Sequence, residues 1–268
     1  MKNTSKNERK SMTKSVVKAK AAPNPESETI SELQNVPIPC HQLPTQMIVA
    51  IDGWAQSGKN TAGELVAEQI DGVLVDSGRF YRALTKAALD AGYSIREPEL
   101  IARYCRGAHL EVKLGREGGK VWQALVSVNG QCYTKEELNG VGLETSHVAR
   151  IREIRHLVNN ALRLCQRYGR VVMLGRDIGG VVFPQTPYKF FLDASETIRE
   201  QRHVKTTLHT GAAHRDRNDI NQVVFAEGAL LIDTEKNNPD DVRGIILVDL
   251  FWRTEEAKAW EMQNTKTQ

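Results

Sequence analysis

The stretch Gly53-Trp54-Ala55-Gln56-Ser57-Gly58-Lys59-Asn60-Thr61 constrains this chain more than any other. It spells G-x-x-x-x-G-K, directly after the apolar run MIVAID and directly before a segment of helical period. Strand, glycine-rich loop and helix in that order turn the pattern into a phosphate-binding loop. Backbone N–H groups and the helix N-terminus cradle phosphate oxygens there, and Lys59 supplies a cation to the β- and γ-phosphates. Asn60 stands where Ser or Thr usually follows the lysine, and an amide is a poor replacement for a hydroxyl on Mg²⁺. Thr61 is the next hydroxyl and the expected metal contact.

The rest of the chain supplies a frame for such a loop. Residues 47–52, 73–76, 171–174, 188–193 and 229–233 are short, continuously apolar runs, as parallel strands covered on both faces should be. Helical period fills 60–70, 79–91, 146–167 and 195–208 between them. Alternating strands and helices predict a three-layer α/β fold around a parallel five-stranded sheet. Residues 109–134 depart from this: LEVKL and KVWQALVSV, with Gly115, Gly118 and Gly119 between them, predict a small antiparallel β insertion. Trp122, Phe190 and Phe191 are expected in the core.

With 268 residues, 40% hydrophobic and 26% charged, the composition is that of a globular domain with attachments and excludes collagen, mucin and long coiled coil. No window approaches the roughly 18 to 20 uninterrupted apolar residues of a spanning helix. Cys40, Cys105, Cys132 and Cys165 form no C-x-x-C pair, so reduced thiols in a cytoplasmic compartment are expected. Residues 1–46 are rich in Lys, Ser, Thr, Asn and Pro and carry seven basic against four acidic residues, so all of the net charge of +3 lies there. With few large apolar side chains they predict a disordered basic tail. A solvated extension, an organelle transit peptide and a weak nucleic-acid contact are all open for it.

Two further segments reach the same sheet edge as the loop. Asp76-Ser77-Gly78-Arg79-Phe80-Tyr81-Arg82 ends a strand and starts a helix, with Arg82 able to meet a phosphate bidentately. Gly175-Arg176-Asp177-Ile178-Gly179-Gly180-Val181-Val182-Phe183-Pro184 follows another buried strand, and open α/β sheets bind ligands at that edge. Together the arginines suggest an anion site beside a nucleotide site. The arginines of 150–163 are equally readable as a solvated helix face.

These three segments, in this order, resemble the cytidylate kinases, bacterial-type nucleoside monophosphate kinases that transfer the γ-phosphate of ATP to CMP or dCMP. The resemblance runs from about residue 47 to 250 through IDG-x-x-x-SGK, VDSG-x-x-YRAL, VSVNG, S-x-VA, GRDIG-x-VVFP, FLDAS, RD-x-x-D and LIDT. It implies that Gly53 through Thr61 hold the phosphates of ATP, brought with Mg²⁺. Ser77, Arg155 and Asp177 would face the cytosine, Arg82 and Arg176 the acceptor phosphate, and Ser146 and Asp219 the sugar. Arg215 and Arg217 would belong to a helical lid over 199–222, neutralising charge with Lys59 and Arg176. Trp54 and Gln56 depart from the family's small loop residues, Gln222 replaces an expected arginine, and the lid is shortened. A kinase of another small acceptor, or a nucleotide-binding protein with degenerate catalysis, therefore stays open. A monomer with small nucleotides as partners is expected, with nucleic acid reached only through the tail.

Overall fold

Strand β1 (Met47–Gly53) is the centre of the molecule, because it pairs in parallel on both sides and has helices over both faces. The computed structural model describes residues 40–117, 119–206 and 223–265. Of the lid expected over 199–222, residues 207–222, with Arg215, Arg217, Asp219 and Gln222, lie outside the described residues, as does the expected tail up to residue 39. Leu43, within the stretch read as tail, is buried at 3%, and Arg170 ties the chain down there by donating to the carbonyls of Leu43 and Pro44.

Among the described residues eight strands form one sheet: β1, β2 (Val73–Asp76), β3 (Leu110–Gly115), β4 (Trp122–Val128), β5 (Gln131–Cys132), β6 (Arg170–Gly175), β7 (Lys189–Asp193) and β8 (Leu230–Asp233). Their order is β3-β4-β2-β6-β1-β7-β8, with β5 beside β4. The five strands β2-β6-β1-β7-β8 are mutually parallel and are those expected from the apolar runs. Period-2 alternation sends Val49 and Ile51 of β1 with Val172 and Leu174 of β6 to one face. Ala50, Val171 and Met173 go to the other.

Helix α1 (Lys59–Gln69) and helix α8 (Pro239–Thr265) cover the first face, with Val66, Ile246 and Leu250 fully buried between them and the sheet. Helices α2 (Ser77–Asp90), α3 (Pro98–Gly107) and α6 (Arg152–Leu164) cover the second through Phe80, Leu84, Ile101, Ile154 and Leu162. Two short helices, α4 (Lys135–Asn139) and α5 (Gly142–Val148), pack on α2. The helical stretch expected over 146–167 is thus divided into α5 and α6, because Ile151 at ψ 118 is extended.

The β insertion is present as an antiparallel pair, Leu110↔Val128 through Gly115↔Gln123, and an Asn129-Gly130 turn at φ 52 and 81 leads into β5. It does not stand apart, because β4 adds to the main sheet in parallel through Val73↔Trp122 and Leu74↔Gln123. The expectation for Trp122 is corrected: as the first residue of β4 it is 44% exposed, its ring covered by the Arg116 guanidinium 4.6 Å away, while Phe190 and Phe191 are buried as expected. Among the described residues Cys105, Cys132 and Cys165 are free thiols, and no helix is long and apolar enough to cross a membrane.

Candidate active site

Register brings four strand ends together. Asp52 stands opposite Gly175, Gly53 opposite Leu192, and Asp76 opposite Leu174, so the loops after β1, β2, β6 and β7 emerge at one carboxyl edge. The turn after β1 needs its glycines. At Gly53, with φ 147, an added Cβ would lie 2.2 Å from the Leu192 carbonyl oxygen, and Gly58, with φ 91, enters α1 from the left-handed region. Between them Gln56 holds φ 59, an unusual conformation for a side chain of its kind. The first N–H groups of α1 have no intrahelical acceptor and open onto this edge, the arrangement that accepts an anion.

Lys59 folds back over its loop. Its Nζ donates to the Gly53 carbonyl at 2.8 Å, to the Trp54 carbonyl, and to Ser57 Oγ at 3.4 Å. Arg176 reaches the same Gly53 carbonyl, 123 residues away in sequence, at 3.1 Å, so two cations from distant loops meet on one oxygen. Burial holds Lys59 well below the usual lysine range, and Arg176 pushes it further down. Arg199 is lowered too, by burial first and by Arg176 among its neighbours. Such mutual depression is relieved by a polyanion.

The first helix after β7, α7 (Glu196–Thr206), grips the loop from outside. Arg199 donates to the Ala55 carbonyl at 3.4 Å and lies over the Trp54 ring at 5.7 Å. Arg202 reaches the Gln56 carbonyl at 3.4 Å and Thr234, and the Gln56 amide meets Nδ1 of His203 at 3.3 Å. Trp54 and Gln56, two of the departures in the loop, thus have partners on α7. Arg199, Arg202 and His203 were missed from sequence. Their only signal was position, just after FLDAS, the run that ends the strand beside β1.

On the other side of Arg176 the expected acceptor residues gather unevenly. Arg155 donates to the Asp177 carboxylate and, at 3.3 Å, to the Ala149 carbonyl, so it turns into the site from the first turn of α6 instead of facing solvent. Burial pushes Asp177 above the usual carboxylate range, and Arg155 opposes that. Tyr81 is buried with its hydroxyl pushed up to about 12, and the charges it senses are Arg155 and Asp177. The YRAL motif held this residue without assigning it a role.

Asp76 caps α2 by accepting from Gly78 N at 2.9 Å and also holds Arg82 at 2.6 Å. Ser77 is buried against Gly175, where a Cβ would lie 2.9 Å from its Oγ. Ser146 is buried on α5. Thr61 is exposed in the first turn of α1. Arg79, unassigned from sequence, forms a bidentate pair at 2.7 Å with Glu117 in the β3–β4 turn, fastening the insertion to the helix that carries Ser77 and Arg82.

One carboxylate inside the first strand was also missed. Asp52 is 2% exposed and accepts from Ile178 N and Gly179 N, both at 2.8 Å. Burial pushes it up to about 7, against the pull of these two bonds.

A parallel sheet that delivers a G-x-x-x-x-G-K loop, its lysine and a cluster of arginines to one edge defines a nucleotide-binding P-loop kinase fold. The chain belongs to the cytidylate kinase family, whose model matches residues 49–250. It is 32% identical over 209 residues to a cytidylate kinase of Exiguobacterium sibiricum, covering 72% of this chain and 92% of that one. A cytidylate kinase of Herpetosiphon aurantiacus is 32% identical over 218 residues, covering 76% and 94%, and one of Bacillus subtilis 31% over 217 residues, covering 75% and 95%. Among solved structures, a gluconokinase from Sinorhizobium meliloti covers 81% of this chain and 98% of its own at 14% identity and TM-score 0.45.

Proposed function

We propose that this chain transfers the γ-phosphoryl group of Mg-ATP to the 5′-phosphate of CMP or dCMP, releasing ADP and CDP or dCDP. The observation that carries the reading is the meeting of Lys59 and Arg176 on the Gly53 carbonyl, with Asp177 and Arg155 paired one residue further on. A donor phosphate on the loop would be neighbour to an acceptor held by the segment that supplies Arg176.

In the step itself an oxygen of the acceptor phosphate attacks the γ-phosphorus in line, and the bond from that phosphorus to the β,γ-bridging oxygen breaks. The acceptor oxygen is already anionic, so no general base is needed. The protein's task is positioning and charge neutralisation. Mg²⁺ enters as part of the ATP substrate, and Thr61 is the hydroxyl proposed to meet it. Lys59 exchanges its carbonyl partners for phosphate oxygens. Arg82 exchanges Asp76 for the acceptor phosphate, while Ser77, Arg155 and Asp177 read the base and Ser146 and Asp219 the sugar. Arg215 and Arg217 are proposed to close on the transferring group and exclude water. The chain is taken to act as a monomer in a cytoplasmic compartment.

ADP release measured with Mg-ATP and CMP, dCMP, UMP or AMP, beside a control without acceptor, tests the reading. Turnover selective for CMP or dCMP is expected. Release that no acceptor stimulates would contradict it.

A further inference from the structure

Asp52 is the last residue of β1 before the phosphate loop, and it does not face that loop. Its two oxygens are both occupied, one by Ile178 N–H and the other by Gly179 N–H. Those residues begin a five-residue π turn, Ile178–Val182. The later amides of the turn, Val181 and Val182, go to the Asp177 carbonyl, so the first two need an acceptor from elsewhere. A carboxylate has two adjacent acceptor oxygens, which suits two successive N–H groups. Among uncharged side chains of this size, Asn would offer one acceptor and present an N–H₂ to the other donor.

The segment so held carries both halves of the proposed chemistry. Arg176, two residues before Ile178, reaches the Gly53 carbonyl, and Asp177 pairs with Arg155. The chain returning after residue 222 also docks here: Val224 N donates to the Arg176 carbonyl at 2.8 Å, and a Cβ on Gly180 would meet Val224 Cγ1 at 2.5 Å. The donor loop shares the Arg176 contact at the Gly53 carbonyl, and it has further supports of its own in the β1–β7 pairing, Lys59 and α7.

We infer that Asp52 is a positioning residue that sets Arg176 and Asp177, and through them the acceptor nucleotide, in register with the phosphate loop. It touches neither substrate. Its contribution is to fix where the acceptor lies relative to a donor held by other contacts, and this rests on the kinase reading above.

The test compares Asp52→Asn with the wild-type chain in steady-state kinetics, varying CMP and ATP separately, with thermal unfolding as the folding control. Asn keeps one of the two backbone bonds. The expected result is a KM for CMP raised about tenfold or more, a KM for ATP within about twofold of wild type, and a smaller preference for CMP over UMP. A purely structural role gives another signature, since partial unfolding lowers the number of active molecules and leaves both KM values unchanged. Should Asn fail to fold, Asp52→Ser, smaller and with a single acceptor, carries the same comparison. Two KM values that stay put or rise together in the variant that folds would overturn the inference. The parallel wild-type run separates the two claims. Absence of CMP-dependent turnover there removes the kinase reading and this inference with it, whereas turnover with unsplit KM values in the variant removes this inference alone.

Discussion

Replacing Arg155 with alanine exposes the electrostatic logic of the acceptor side. Arg155 and Asp177 have side-chain exposures of 22% and 10%, and burial already raises the Asp177 carboxyl, with Arg155 the opposing influence. Removing one partner of a fully buried pair costs about 3–5 kcal/mol. Here the pair is partly exposed, which reduces that cost, and the orphaned carboxyl can also escape by taking up a proton, at about 1.4 kcal/mol per unit by which the solution pH exceeds the ordinary carboxylate pKa. A loss of about 2 kcal/mol at neutral pH follows, or about 4–8 °C in melting temperature for a domain of this size.

The sign with pH is fixed. A carboxyl raised in the folded state binds protons that the unfolded state has released, so stability falls as pH rises between the two pKa values. Without Arg155 the folded value rises further and the window extends upward. Urea unfolding of wild type, Arg155→Ala, Asp177→Asn and the double variant at pH 5 and pH 8 measures this. Arg155→Ala should cost more at pH 8 than at pH 5, and adding Asp177→Asn should recover much of the loss. A cost independent of pH, or strictly additive variants, would refute the reasoning.

Other outcomes follow from the same geometry. Lys59→Met should reduce turnover by at least about a hundredfold, since transition-state charge loses its cation, while melting temperature is unchanged or raised because an enclosed ammonium has been removed. Gly53→Ala should fail to yield a stably folded chain, because the new Cβ meets backbone at 2.2 Å, and expression with thermal unfolding reads this directly. Glu117→Gln should cost about 1 kcal/mol in urea unfolding and loosen the insertion. In the wild type Arg79 lowers the Glu117 carboxyl, so that contribution is present above the ordinary carboxylate pKa and is lost as pH falls through the lowered one. His203→Ala should raise the KM for ATP more than that for CMP, because its contact is with Gln56 of the donor loop.

What sequence revealed and what it hid have physical reasons. Strands buried on both faces print as continuous apolar runs, so β1, β2, β6, β7 and β8 were legible, as was the loop between β1 and α1. Helix α3 was not, because its buried set of Ile101, Ala102 and Cys105 is too small to show a period within ten residues. The break at Ile151 was hidden because a single extended residue leaves the apolar spacing nearly intact on either side. Trp122 was misread because size alone does not reveal that it is the first residue of β4, exposed although Ala124, Val126 and Val128 on the same strand face are buried.

At the site, the residue types of Lys59, Arg82, Arg176 and Asp177 announced anion and base chemistry at strand ends. The pairing of Arg155 with Asp177, 22 residues apart in sequence, required the turn at 149–151 to aim α6 inward. Asp52 was invisible because one carboxylate in an apolar run looks like a strand end. Its meaning lies in two amides 126 and 127 residues away. The partners of Trp54 and Gln56 on α7 were hidden for the same reason, and made two odd loop residues look like losses.

The most direct test of the central claim follows the transferred group itself. The chain is incubated with γ-labelled Mg-ATP and CMP, and the labelled products are separated. The account predicts label in the β-phosphate of CDP, formed in step with ADP and abolished by Lys59→Met. Label found only in inorganic phosphate, or retained in ATP while both nucleotides bind, would contradict it.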